Sequence, residues 1–223
     1  MTASLLDSLE ITTGPNPQRS VVWLHGLGAD GNDFAPIVPE LDLAGLPDIR
    51  FVFPHAPVQP VTINGGMAMR SWYDILGLDL PQREDAAGIR ASQAMVEALI
   101  ARERERGVAS GQIVLAGFSQ GCAMTLHTGL RHAEPLAGLV GLSGYLPLAD
   151  ALLDERAPAN LATPIFLAHG TQDPVVALAR AEASRDRLES GGHQVEWHTY
   201  PMPHSVHPRE IQDIAAFLQR VLA

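Results

Sequence analysis

An α/β fold, with a mostly parallel central sheet and helices on both of its faces, is the class this 223-residue chain predicts. Three observations carry the prediction. Several short apolar runs lack the polar alternation of a half-exposed strand, as a sheet covered on both faces requires. Segments with helical apolar spacing separate them, the pattern of βαβ units. A serine flanked by glycines also stands where one of these runs gives way to a helical segment.

In chain order, the buried strands are expected at Val21–Leu24, Arg50–Phe53, Ile113–Ala116, Gly138–Leu142 and Ile165–Ala168. Val195–Tyr200 alternates polar with apolar residues and suits a strand near the sheet edge. Ile89, Val96, Leu99 and Ile100 place one apolar face on a helix within 84–106. Helices are also expected at 120–130 and 179–188. The last helix, 208–222, has Ile211, Ile214, Ala215, Leu218 and Leu222 on one stripe, with Pro208 suited to its first turn. The run Arg102-Glu103-Arg104-Glu105-Arg106 reads as a solvated helix end. These elements use most of residues 1–223, which are expected to form a single domain.

Composition excludes several chemistries. The 15 basic residues are all arginine, so no lysine amine is present for a Schiff base, a phosphate-binding P-loop or a Ser–Lys dyad. A net charge of −10 argues against nucleic acid and against an anionic membrane surface. The single cysteine, Cys122, leaves no internal disulfide and no cysteine-based metal cluster. Neither a secretory leader nor a membrane span is apparent, and the expected location is cytoplasmic.

Gly117-Phe118-Ser119-Gln120-Gly121 matches Gly-x-Ser-x-Gly, between an apolar strand and a helical segment. On so sharp a turn the neighbouring positions have no room for side chains. The serine hydroxyl projects at the C-terminal edge of the sheet, and the Gln120 amide points toward developing negative charge. Serine needs a base, and the partners of such an elbow follow in the order Ser, acid, His. His204, in the proline-rich loop Tyr200–His207 past the last strand, is the expected base, with His207 its local competitor. Asp173 is the only carboxylate in the loop after Ile165–Ala168 and is the expected acid. A metal reading of His198, His204 and His207 lacks accompanying carboxylates at zinc-site spacing.

The loop His25-Gly26-Leu27-Gly28-Ala29-Asp30-Gly31 admits a rival reading. Gly26-x-Gly28-x-x-Gly31 spells a dinucleotide fingerprint, which would make the protein an oxidoreductase. The fingerprint should open a helix, and Pro36 and Pro39 interrupt the segment that follows. The competing role is an oxyanion-hole loop in which the Leu27 amide pairs with that of Gln120. A third class, a binding protein on a hydrolytic fold, usually lacks one of the three polar residues, and all are present here.

Taken together, these stretches resemble the small α/β-hydrolase carboxylesterases of the phospholipase/carboxylesterase family, relatives of acyl-protein thioesterases. Ser71-Trp72-Tyr73-Asp74, Leu142-Ser143-Gly144-Tyr145-Leu146-Pro147, His169–Val176 and Tyr200–Val206 extend the likeness from Val21 toward the C-terminus. The resemblance implies an α/β-hydrolase fold with no large lid domain. It also implies a catalytic Ser119, Asp173 and His204, oxyanion donors at Leu27 and Gln120, and no metal or organic cofactor. Met69, Ile75, Tyr145 and Val175 fall where the family lines its acyl pocket. Pro203, Cys122 and Ala177 depart from the family's usual residues.

The expected activity is a serine carboxylesterase acting through an acyl-enzyme on small soluble esters of short to medium acyl chains. Thioesters and lysophospholipids are alternatives, since the same triad serves each. The segment between Phe53 and Glu84, about 30 residues, is too short for a large lid and implies an open, shallow pocket. The expected partner is a small-molecule ester, without stable membrane anchoring, and Leu76 and Leu78 are candidates for a homodimer contact.

Overall fold

The structure, a computed structural model, describes residues 5–77 and 84–223. Its centre is a seven-stranded sheet built from β1 (Ser8–Thr12), β2 (Arg19–Leu24), β3 (Ile49–Pro54), β6 (Ile113–Phe118), β7 (Gly138–Leu142), β8 (Ile165–Gly170) and β9 (Val195–Tyr200). The order is β1-β3-β2-β6-β7-β8-β9. Every pairing is parallel except β1 against β3. The strands β4 (Val58–Val61) and β5 (Met67–Arg70) form a separate antiparallel hairpin.

Period-two alternation divides the core between the two faces of the sheet. Val22 and Leu24 of β2, with Ile113 and Leu115 of β6, join the helices α1 (Ala86–Glu105) and α2 (Gln120–Arg131) on one face. Val21 and Trp23, with Val114 and Ala116, turn to the other face. There they meet α5 (Pro208–Leu222) through Ile214, Phe217 and Leu218. These strand residues are at most 1 % exposed, which is why their sequences run apolar without a break. A one-turn helix α3 (Leu152–Glu155) and α4 (Leu178–Ser190) complete the α-helices among the described residues. β9 occupies the sheet edge, as its alternation predicts.

The two loops that matter most leave the C-terminal ends of adjacent parallel strands. β2 pairs with β6 through Leu24 and Gly117. The His25–Gly31 loop and the Ser119 turn therefore emerge side by side, in the position where open α/β sheets hold their ligands. After the first loop comes a 3-10 helix at Ala35–Glu40 containing Pro36 and Pro39. No α-helix opens at Gly31, so the segment lacks the helix N-terminus a dinucleotide pyrophosphate would need.

Candidate active site

Steric crowding forces the turn at Ser119. The backbone there sits at φ 55°, ψ −115°, a conformation that costs a non-glycine residue about 1–3 kcal/mol. Its neighbours hold it there. A Cβ on Gly117 would lie 2.3 Å from the backbone of Gly121, and one on Gly121 would lie 2.1 Å from the Leu24 carbonyl oxygen. The motif's glycines are thus required by contact with each other and with β2. The Ser119 amide donates to the Leu142 carbonyl at 2.8 Å, tying the turn to β7.

The Gln120 side chain, 3 % exposed, straps the turn to the 71–75 segment. Its Oε1 accepts from the Trp72 amide at 2.8 Å, and its Nε2 donates to the Tyr73 carbonyl at 2.7 Å. Its own amide opens α2 and belongs to the first turn, whose N–H groups have no intrahelical partner. The Leu27 amide has no hydrogen-bond partner among the described residues. His25 holds its loop: Nε2 accepts from the Ala56 amide at 3.0 Å while Nδ1 faces the Gly26 carbonyl at 2.7 Å. Those contacts fix a neutral Nδ1–H imidazole, and burial lowers its pKa further. His25 is therefore a loop anchor.

Asp173 and His204 come together from the loops after β8 and β9. His204 Nδ1 lies 2.6 Å from Asp173 Oδ2. The other carboxylate oxygen accepts from the amides of Val175 and Val176, at 2.8 and 2.9 Å. Burial opposes the charge on Asp173, but the hydrogen bonds from His204 and the two amides outweigh it and hold its pKa below the usual value. Sequence reasoning did not single out a third neighbour, His169. Its Nε2 lies 3.4 Å from Asp173 Oδ2 and 2.8 Å from the Val176 carbonyl, so it carries the proton there. Its position at the end of an apolar strand was the available signal; it is buried at 0 % exposure, with Nε2 on these neighbours and Nδ1 without a partner among the described residues.

Ser119, Gln120, Leu27 and His204 line one cavity of about 760 Å³, with Ile75, Tyr145 and Val175 on its walls. This lies within the roughly 300–1,000 Å³ of small-molecule sites. Met69 stands outside the lining, on β5, where a Cβ on Gly28 would come 3.7 Å from its sulfur. Leu76 is 41 % exposed and also lines the cavity. Leu78 lies outside the described residues. The competitor His207 caps α5, its Nδ1 accepting from the Arg209 amide at 3.1 Å. His198 stacks on Phe166 and bonds Glu196. Cys122 packs behind the turn, 2 % exposed, and burial pushes its thiol up to about 12, far from a reactive thiolate.

Comparison with known proteins agrees with this architecture. The family model described as phospholipase/carboxylesterase matches residues 7–222. An acyl-protein thioesterase 1 of Mycosarcoma maydis is 40 % identical over 236 residues, covering 98 % of each chain. That of Yarrowia lipolytica is 42 % identical over 205 residues, covering 90 % of each. The crystal structure of Zea mays acyl-protein thioesterase 2 matches with a TM-score of 0.84 at 28 % identity, over 97 % of this chain and all of that one. Fold and relatives together define a hydrolase of the α/β-hydrolase class. The chain belongs to the phospholipase/carboxylesterase family. Among the described residues no helix is long and apolar enough to cross a membrane.

Proposed function

We propose that this hydrolase cleaves acyl thioesters, and the corresponding oxygen esters, with Ser119 as nucleophile, His204 as general base and Asp173 as the group that orients the imidazole. The observation that carries the reading is the 2.6 Å His204–Asp173 contact beside a strained serine, with serine and histidine lining one cavity. The names of the relatives favour thioesters over small soluble esters in general. The cavity volume favours an acyl group larger than a short chain.

In the first half-reaction His204 Nε2 takes the Ser119 proton as Oγ adds to the acyl carbonyl. The amides of Leu27 and Gln120 are the candidate donors to the resulting oxyanion. Collapse breaks the C–S or C–O bond, and His204 returns the proton to the leaving thiol or alcohol. Water, activated by the same imidazole, then releases the acid and restores Ser119. His169 acts through Asp173 and Val176, keeping the acid's loop in place. The two half-reactions need no metal or organic cofactor.

A matched panel tests the substrate class. One acyl chain, offered as a thioester to a cysteine-containing peptide, as an alkyl ester and as a lysophospholipid, should give the highest kcat/KM with the thioester. A lysophospholipid preference, or turnover confined to acetyl and butyryl esters, would contradict the assignment.

A further inference from the structure

Two phenols stand together in the wall of the cavity. Tyr73, 2 % exposed, arrives from the segment after β5, and Tyr145 from the loop after β7. Both line the cavity, and their hydroxyl oxygens meet at 2.8 Å. Each hydroxyl has one proton to give and two lone pairs to fill. The pair spends one proton on its mutual bond. The second has no acceptor among the described residues. Because both tyrosines line the cavity, that second O–H is available to a ligand that brings an oxygen. The Arg180 guanidinium stacks 3.3 Å from the centre of the Tyr145 ring and fixes it in place.

We infer that the Tyr73–Tyr145 hydroxyl pair recognises a neutral oxygen on the acyl chain, which makes hydroxy- or oxo-acyl groups the preferred acyl substrates of this cavity. The inference rests on the reading of Ser119 as nucleophile and adds the identity of the acyl group.

Charge selects a neutral oxygen over a carboxylate. Asp33, Asp74, Glu84 and Asp150 line the same cavity, with Arg180 the only arginine among its described lining residues. Arg180 already faces Glu84 at 3.8 Å. A chain ending in a carboxylate would meet four acids for one shared cation. A hydroxyl brings a donor and an acceptor without charge and completes the pair.

The backbone beside each tyrosine is tied to the nucleophile turn. The Tyr73 carbonyl is bound by the Gln120 side chain. Tyr145 directly follows Gly144, at which a Cβ would come 2.7 Å from the Ser119 carbonyl oxygen. Both tyrosines are therefore anchored to the nucleophile turn.

The test is a set of N-acetylcysteamine thioesters of one chain length: unsubstituted, hydroxylated at successive carbons, and ω-carboxylated. The expected kcat/KM profile peaks at one hydroxyl position, about three- to tenfold above the unsubstituted chain, the worth of one neutral hydrogen bond. The ω-carboxylate should be the poorest. Tyr73→Phe should flatten the peak toward the unsubstituted value, and Tyr145→Phe should do the same. Should either variant misfold, the wild-type profile decides alone. A flat wild-type profile, a peak that survives Tyr73→Phe, or a carboxylate preference overturns the inference while leaving the nucleophile assignment intact. Absence of all turnover, together with no labelling of Ser119 by a fluorophosphonate, would instead sink the nucleophile reading and this one with it.

Discussion

At the scale of single residues, the candidate site turns on how one carboxylate is held. Asp173 receives two amides and His204, with a second imidazole, His169, close to the oxygen His204 uses. Asp173→Asn keeps the shape but removes the charge that stabilises the imidazolium, and kcat should fall by about two to four powers of ten. His169→Phe removes the proton shared with the Val176 carbonyl. It should lower kcat/KM about tenfold for every acyl length and move the acid limb of the pH profile, and His169→Gln should restore part of both. A fall in Tm with an unmoved pH profile would confine His169 to packing. The meeting of Asp173 with His204, and of His204 with Ser119 in one cavity, was foreshadowed by a motif, a loop position and a chain order, which make them the candidate triad. His25 and His169 were not assigned their anchoring contacts, because those are made to backbone groups at Ala56, Gly26 and Val176, which no spacing rule reveals.

At the scale of elements, the turn between β6 and α2 is the least replaceable part. Gly121→Ala would drive a Cβ into the Leu24 carbonyl, where only movement of β2 or α2 could relieve the clash. It should cost several kcal/mol of stability, measured by denaturant titration, and abolish turnover with it. The N-terminus of α5 carries a different liability. Glu210 is fully buried, one carboxylate oxygen accepting from the His207 amide at 3.0 Å and the other without a partner among the described residues. Burial raises its pKa from the usual 4.5 to about 7. Between those values the folded state keeps a proton that the unfolded chain has lost, so stability falls as pH rises through the window. Glu210→Gln should match the wild type near pH 5 and exceed its stability at pH 8 by roughly 1–3 kcal/mol, read from thermal melts at both values. The buried strands and long helices were legible because burial on both faces leaves unbroken apolar runs. β1 was not, because an edge strand that packs only Leu9 and Ile11 inward leaves too short a pattern. The β4–β5 hairpin was missed for a related reason: its residues are largely exposed, and Pro60 masks the strand signal.

At the scale of the whole molecule, the cavity is a product of distant segments. Residues following β2, β5, β6, β7, β8 and β9 meet around it, and none of those segments encodes a volume. The short segment between Phe53 and Glu84 implied an open, shallow pocket; it does not encode the volume of about 760 Å³ that the described loops line. Chain-length selectivity belongs at this scale. Across saturated acyl thioesters kcat/KM should rise beyond four carbons, and a monotonic fall from acetyl onward would show that the cavity takes no part in binding. The most direct measurement is active-site labelling with a fluorophosphonate, followed by peptide mass spectrometry and paired with Ser119→Ala. Stoichiometric modification of Ser119 alone is expected. In the folded Ser119→Ala protein there should be no label, and kcat should drop by about three to six powers of ten. Labelling at another serine, or full turnover in the alanine variant, would contradict the central claim.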